Sequence, residues 1–176
     1  MNMIKVEIDQ QRNLISVWNN GRGVPIQIHK GEGIYVPELI FGHLLTSSNY
    51  NDKEQKVTGG RNGFGAKLAN IFSTEFTIET ANSAEDQHYT QTFRDNISVK
   101  DDPVIGRNAS RLDFTKVSFR PDLRKFHMTH LCEDTVALLT KRVFDLAGVT
   151  DARVAVKLNG KTIQCKNFAQ YADYYL

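Results

Sequence analysis

The sequence predicts an α+β domain built on a mixed, largely antiparallel sheet with helices packed on one face. Residues 4–9 and 14–18 alternate apolar and polar side chains on either side of a turn-rich stretch, which is typical of a β-hairpin. Residues 152–165 form a second hairpin pattern that turns on Asn159-Gly160. Because such hairpins are interspersed with helical patterns, an α+β class is favoured over a doubly wound parallel sheet.

Two helices are predicted from apolar spacing and end signals. The longer runs from Thr129 to Leu146, with apolar side chains on one face and Gly148 as its stop signal. The shorter begins near Pro37, a residue suited to the first helical position. The other elements are, in chain order, a surface loop over 46–56, helical spacing at Phe64, Leu68, Ile71 and Phe72, strands at 75–80 and 88–93, a loop at 101–110, a strand ending at Pro121, and a helix or strap from Asn167.

Length and composition restrict the class of protein. A chain of 176 residues, 40% of them hydrophobic and 24% charged, is long enough for one folded domain with a core. Its net charge of +2 is too small to indicate nucleic-acid binding by itself. Cys132 and Cys165 are far apart and lack a CxxC partner, so neither a disulfide framework nor a zinc site is indicated. The first residues lack the organisation of a signal peptide, and we interpret the chain as intracellular.

A glycine-rich stretch, "VTGGRNGFGAKLANIF" at 57–72, is the main candidate for a binding loop. Glycines allow a ligand to approach the backbone, and the N–H groups at the start of a helix favour anions. Arg61 and Lys67 add positive charge at the two ends of the loop. The stretch is neither a Walker A loop, since Lys67 is followed by Leu68, nor a Rossmann GxGxxG motif. A glycine-rich surface turn without a ligand is the alternative.

Two further groups of polar residues are candidates for nucleotide contacts. Asn19 follows a predicted strand in "NNGRGVP", and its amide could pair with a base edge or a ribose hydroxyl. Ser47, Ser48 and Asn49 follow the Pro37 helix and could reach sugar or phosphate. Read alone, each group has an ordinary structural alternative, an Asn-Gly turn for the first and a capped loop for the second.

Taken in this order, "NNGRGVP", "LIFGHLLTSSNY" and "VTGGRNGFGAKLANIFS" closely resemble the ATPase region of eukaryotic-type DNA topoisomerase II, a member of the GHKL superfamily. The resemblance continues through "FRPDLRKF", "TVALLTKRVFDLAG", "VKLNGK" and "YADYYL". It implies the GHKL (Bergerat) ATP-binding fold over residues 1–163, with the start of a transducer domain over 164–176. It also implies ATP and Mg²⁺ as cofactors, and DNA, a homodimer and the nucleus as the setting of the parent enzyme.

The resemblance also assigns roles to particular residues of this chain. The loop up to Lys67 is expected to wrap the triphosphate, Asn19 to contact base and ribose, and Thr115 to lie near the adenine. The segment at 47–49 is expected to touch ribose and phosphates. The implied cofactor-binding set is Asn19, Ser47, Ser48, Asn49, Gly60, Arg61, Asn62, Gly63, Phe64, Gly65, Ala66, Lys67 and Thr115.

The resemblance further implies a helix before the first hairpin, carrying a general-base glutamate and a magnesium-binding asparagine. The chain starts at the hairpin, so we expect a fold that is incomplete at its N-terminus and assign no catalytic or metal-binding residue. Glu7, Asp9 and Glu38 are carboxylates expected at the solvated surface. The main hypothesis is the ATP-binding portion of a type IIA topoisomerase. The alternative is a catalytically inactive nucleotide-binding or dimerisation remnant that lacks the general base.

Overall fold

The computed structural model of the chain describes residues 1–43 and 63–176. Its strands form one mixed sheet in which β1 and β8 are the parallel pair and the other pairs are antiparallel. The strand order is β5-β4-β3-β7-β2-β1-β8-β9, with β6 also pairing with β4. The strands are β1 Met3–Asp9, β2 Leu14–Asn19, β3 Ser73–Asn82, β4 Gln87–Arg94, β5 Val99–Lys100, β6 Val104–Arg107, β7 Phe114–Pro121, β8 Ala155–Leu158 and β9 Lys161–Thr162.

The helices pack on one face of this sheet, as the sequence predicted, and among the described residues no helix covers the other face, which we call the open face. They are α1 Val36–Gly42, α2 Phe64–Ile71, a 3₁₀ turn at Leu123–Phe126, α3 Glu133–Val149 and α4 Phe168–Ala172. In β1 the helix-facing Ile4, Val6 and Ile8 are buried, whereas Lys5 and Glu7 between them are exposed. This period-two burial is what a sheet covered on one side requires.

Three apolar clusters lie on the helix-covered face of the sheet. The first joins β1 and β8 to α3 through residues such as Ile4, Val143 and Ala147. The second joins β3 and β4 to α1, and its centre is Phe76, whose side chain is fully buried against the rings of Phe41, Phe93 and Phe119. Rings at such separations add edge or offset contacts to the burial of apolar area. The third lies under the two middle strands, β2 and β7, and joins Ile15 and Phe119 to Leu123 and Leu131.

Most predicted elements are confirmed, including both hairpins and the helix beginning near Pro37. The second hairpin turns on Asn159 and Gly160, which have φ of 46° and 79°. Three predictions are wrong. The long helix begins at Glu133, four residues after the predicted Thr129. The stretch 101–110, predicted to be a loop, contains strand β6 paired with β4. Gly148, predicted to stop the long helix, lies inside α3, where it makes room for Tyr171.

No helix within the described part of the chain is long and apolar enough to cross a membrane.

Candidate functional site

A cleft lies between α2 and α3, with the middle strands β2 and β7 as its floor. It contains a cavity of about 410 Å³ with Ile15 and Phe119 on the floor, Leu68 and Phe72 on the α2 wall, and Leu139 on the α3 wall. The walls and floor are almost entirely apolar. Leu68 and Phe72, which have the helical spacing seen in the sequence, are 45% and 39% exposed. The apolar face of α2 therefore lines an open cleft instead of a closed core.

Beyond the residues that line the cavity, the same face of strands β2 and β7 changes from apolar to polar. In the antiparallel register of β2 and β7, Ile15 pairs with Phe119, Val17 with Val117 and Asn19 with Thr115. These alternate residues share the helix-facing side of the sheet. Val17, in the middle of the floor, is 37% exposed although its strand is central. We call the end of the floor at Asn19 and Thr115 the polar end of the cleft.

Asn19, the last residue of β2, lies at the polar end. Its Oδ1 accepts a hydrogen bond from the backbone N–H of Gly21 at 2.9 Å, which fixes the orientation of the amide. The adjacent Asn20 has a different role, because its Oδ1 accepts from the N–H groups of Asn2 and Met3. Of the two asparagines in "NNGRG", Asn20 thus holds the chain start against the hairpin, and Asn19 remains the candidate ligand contact.

Thr115 lies beside Asn19 and contacts Thr80 of β3. The two hydroxyl oxygens are 3.2 Å apart, and Thr80 also bonds to the Phe114 carbonyl and to the Val24 N–H, each at 2.9 Å. Thr80 is fully buried. It was not among the residues selected from sequence, although its position two residues after Ile78 in a strand of period two places it on the covered face. That spacing could have identified it.

The glycine-rich stretch leads into α2 through Gly63, which has a left-handed backbone with φ of 64° and caps the helix without a side-chain bond. Phe64, Gly65 and Ala66 form an exposed first turn. An exposed helix start without an acidic or capping side chain leaves backbone N–H groups for an anion. The described part of the predicted phosphate loop is therefore an exposed helix start without a side-chain cap.

The buried side of α2 carries the polar residues Lys67 and Asn70, whereas the apolar Leu68 is exposed. The Lys67 side chain is 2% exposed, and its Nζ donates to the Gly63 carbonyl oxygen at 2.9 Å. Burial lowers the pKa of Lys67 below its ordinary value. The ammonium group is thus held close to the residue that starts the helix, where a phosphate would add a favourable charge partner.

The remaining predicted site residues, Ser47, Ser48, Asn49, Gly60, Arg61 and Asn62, lie outside the described residues. The same holds for the predicted surface loop over 46–56.

Glu38 corrects the expectation that the three carboxylates are solvated. It is 5% exposed and lies in the first turn of α1. Lys100 donates to its Oε1 at 2.6 Å, and Gln91 donates to its Oε2 at 3.1 Å. Gln91 is itself fixed by Tyr89, whose hydroxyl donates to Gln91 Oε1 at 2.6 Å. The burial of Glu38 could not be predicted from the sequence, because its partners lie on the distant strands β4 and β5.

This network fixes the helix that leads directly into the segment 44–62. Burial alone would raise the pKa of Glu38, but the hydrogen bonds from Lys100 and Gln91 and the charge of Lys100 lower it below its ordinary value. Buried polar groups that are fully bonded specify one packing arrangement. Asn70 ties α2 to α1 separately: its Nδ2 donates to the Phe41 carbonyl oxygen at 3.0 Å, whereas its buried Oδ1 has no hydrogen-bond partner among the described residues.

The lowered pKa of Glu38 predicts a pH-dependent contribution to stability. The folded-state pKa lies below the unfolded one, so the contribution is complete above the unfolded value of 4.5 and is lost as pH falls through the folded value. Unfolding by urea, measured between pH 3 and 7, should show this loss in the wild-type chain and a flatter profile in Glu38→Gln. Equal slopes in both chains would contradict the assignment. Glu7→Gln is a matched control on the open face.

A metal cage is not present in the part of the chain that the structure describes. No group of three or more histidine, cysteine, aspartate or glutamate side chains there could hold an ion. Within this part of the chain, Mg²⁺ would have to be held largely by the phosphates of a bound nucleotide and by water. Of the carboxylates named from sequence, Glu7 lies beside Ser16 on the open face and Asp9 accepts from the Arg12 N–H in the hairpin turn.

Comparison with known proteins identifies the family. The chain is 57% identical over its full length to a protein named DNA topoisomerase 2 from Arabidopsis thaliana, and 52% identical to DNA topoisomerase 2-alpha from Mus musculus. The chain belongs to the DNA topoisomerase II family. It spans 12% and 11% of the length of these two relatives. No family model matches the chain.

Solved structures place the chain within one region of topoisomerase II. The ATPase region of Saccharomyces cerevisiae topoisomerase II matches with a TM-score of 0.96 and 48% identity, covering 99% of this chain and 46% of that one. The ATPase and transducer domains of DNA topoisomerase II from Balamuthia mandrillaris match with a TM-score of 0.92 and 46% identity, covering 98% and 44%. The α+β fold expected from the topoisomerase II resemblance is therefore confirmed.

Proposed function

We propose that this chain is the ATP-binding portion of a type IIA DNA topoisomerase, and that ATP lies in the cleft between α2 and α3 with its base at the polar end. The observation that carries the proposal is the full-length match to topoisomerase II ATPase regions at a TM-score of 0.96. In the parent enzyme, binding and hydrolysis of ATP would drive DNA strand passage. DNA, a homodimer, a nuclear location and Mg²⁺ brought with the triphosphate belong to the same proposal.

The described geometry supports this assignment at two places. At the polar end, Asn19 offers an oriented amide beside the hydroxyl of Thr115, which is a suitable surface for a base edge. On one side wall, α2 begins at a left-handed glycine with an exposed, uncapped first turn. A phosphate at that turn would receive backbone N–H groups and the charge of Lys67.

Calorimetric titration of the chain with a non-hydrolysable ATP analogue and Mg²⁺ tests the proposal. We expect saturable binding with one ligand per chain, weakened about tenfold or more in Lys67→Ala, because a charge-assisted bond to phosphate is lost. Lys30→Ala is the matched control, since Lys30 is an exposed lysine in the loop before α1 and should leave the affinity unchanged. No binding heat from a folded wild-type sample would reject the proposal.

A binding role without hydrolysis is the second candidate. It is favoured by the engagement of Glu38, whose carboxylate is tied to Lys100 and Gln91 and is not available as a base for an attacking water. Phosphate release from ATP by this chain distinguishes the two candidates. Release above that of a Lys67→Ala control supports hydrolysis, and binding without release supports the second. The division of the chain into an ATP-binding domain over 1–163 and the start of a transducer domain over 164–176 stays a prediction.

A further inference from the structure

Thr80 is a fully buried threonine whose hydroxyl group has three close partners. Its Oγ1 lies 2.9 Å from the Phe114 carbonyl oxygen, 2.9 Å from the Val24 backbone nitrogen and 3.2 Å from Thr115 Oγ1. A threonine hydroxyl has one proton to donate and two lone pairs to accept with. The three contacts therefore use its whole hydrogen-bonding capacity.

The chemistry of the three partners determines which one receives the proton. A carbonyl oxygen can only accept, so the contact with Phe114 requires the Thr80 proton. A backbone N–H can only donate, so the contact with Val24 uses one Thr80 lone pair. The remaining lone pair faces Thr115, and Thr115 must supply the proton of that bond.

Thr115 is consequently left without a free proton. Its hydroxyl proton is directed to Thr80, and its own lone pairs remain for whatever lies at the polar end of the cleft. In Asn19, the cross-strand neighbour of Thr115, Oδ1 accepts from the Gly21 N–H, and the Nδ2 protons have no partner among residues 1–43 and 63–176. The polar end thus presents an acceptor from Thr115 beside a donor from Asn19.

We propose that Thr80 is a positioning residue that fixes Thr115 as a hydrogen-bond acceptor, so that the ligand atom facing Thr115 has to be a donor such as the exocyclic amino group of a base. This inference rests on the proposed nucleotide site. It assigns to that site a residue, Thr80, that does not touch the ligand, and it gives a physical reason why the site would select bases that carry an amino group. Because the Phe114 carbonyl oxygen accepts the Thr80 proton, Thr80 in turn accepts the Thr115 proton, and this series of hydrogen bonds sets which group is the acceptor in the cleft.

The test compares the non-hydrolysable ATP analogue with the matching analogue of purine riboside triphosphate, which lacks the amino group. In the wild-type chain the second ligand should bind about tenfold more weakly, because one hydrogen bond is missing and an acceptor is left unpaired. Thr80→Ser keeps the hydroxyl and should keep this ratio. Thr80→Val keeps the shape without the hydroxyl, frees the Thr115 proton, and should reduce the ratio to about threefold or less.

Each outcome supports or overturns the inference. A folded Thr80→Val chain with an unchanged ratio overturns it, as does a wild-type chain that binds both ligands equally, and in both cases the proposed function stands. A wild-type chain that binds neither ligand rejects both. If Thr80→Val does not fold, the Thr115 hydroxyl proton of the wild-type chain decides. It should be detected by NMR as a slowly exchanging resonance with and without ligand, and fast exchange in either state overturns the inference.

Discussion

Gly23→Ala is expected to destabilise the fold by about 3 kcal/mol, at the upper end of what overpacking costs. A Cβ at this position would lie 1.9 Å from the Ala81 carbonyl oxygen and 2.7 Å from its carbonyl carbon. Ala81 is fully buried in β3, which is paired on both sides, so it cannot move away. Thermal unfolding should show a midpoint lowered by roughly 10 °C for a chain of this size.

The same substitution should also affect the polar end of the cleft. Gly23 precedes Val24, whose N–H donates to Thr80, so a displaced segment breaks that bond. Gly106→Ala is the matched control, because Gly106 is a strand glycine with no atom within 4 Å of an added Cβ. Equal unfolding midpoints for the two variants would show that residues 21–25 do not pack on β3 as described.

Gly148→Ala is expected to release α4 from α3. A Cβ on Gly148 would lie 2.7 Å from both Cβ and Cγ of Tyr171, atoms that rotation about the outer bonds cannot move. The Tyr171 hydroxyl donates to Asp145 at 2.5 Å, which raises the pKa of Tyr171 to about 12. Alanine also favours helix by about 1 kcal/mol, so α3 itself should not be weakened. The docking of α4 should lose roughly 2 kcal/mol.

Amide hydrogen exchange measures this release directly. Protection over Phe168–Ala172 should fall in Gly148→Ala while the amides of β3 and β7 keep theirs. In a Tyr171→Gly background both of these side-chain atoms, Cβ and Cγ, are gone, so adding Gly148→Ala should cost nothing further. Additive losses in the double variant would mean that Tyr171 is not the residue that Gly148 accommodates.

The sequence predicted those parts of the fold whose cause is local. Both hairpins follow from period-two alternation and turn residues, and the start of α1 follows from Pro37. The predicted pairing of the glycine-rich stretch with a helix start agrees with Gly63 and α2. These signals depend on residues that are close together in the sequence, so they can be interpreted without knowledge of the tertiary fold.

The errors concern residues whose surroundings come from distant strands. Glu38 is buried because Lys100 and Gln91 reach it from β5 and β4. Gly148 lies within α3 because the side chain of Tyr171, from α4, packs against it and leaves no room for a Cβ. Strand β6 exists because β4 offers an edge to residues that are unremarkable by themselves. Thr80 acquires its role from Phe114 and Val24, which lie on separate segments. Pairings of this kind cannot be read from spacing along one chain.

The most direct test of the account is amide chemical-shift mapping of the chain during titration with a non-hydrolysable ATP analogue and Mg²⁺. The largest shifts are expected at the polar end of the cleft, at Asn19, Gly21 and Thr115, and at the start of α2 from Gly63 to Lys67. The open face of the sheet, around Lys5 and Trp18, should be unchanged. Largest shifts on that open face, with the polar end unaffected, would contradict the placement of the nucleotide in the cleft.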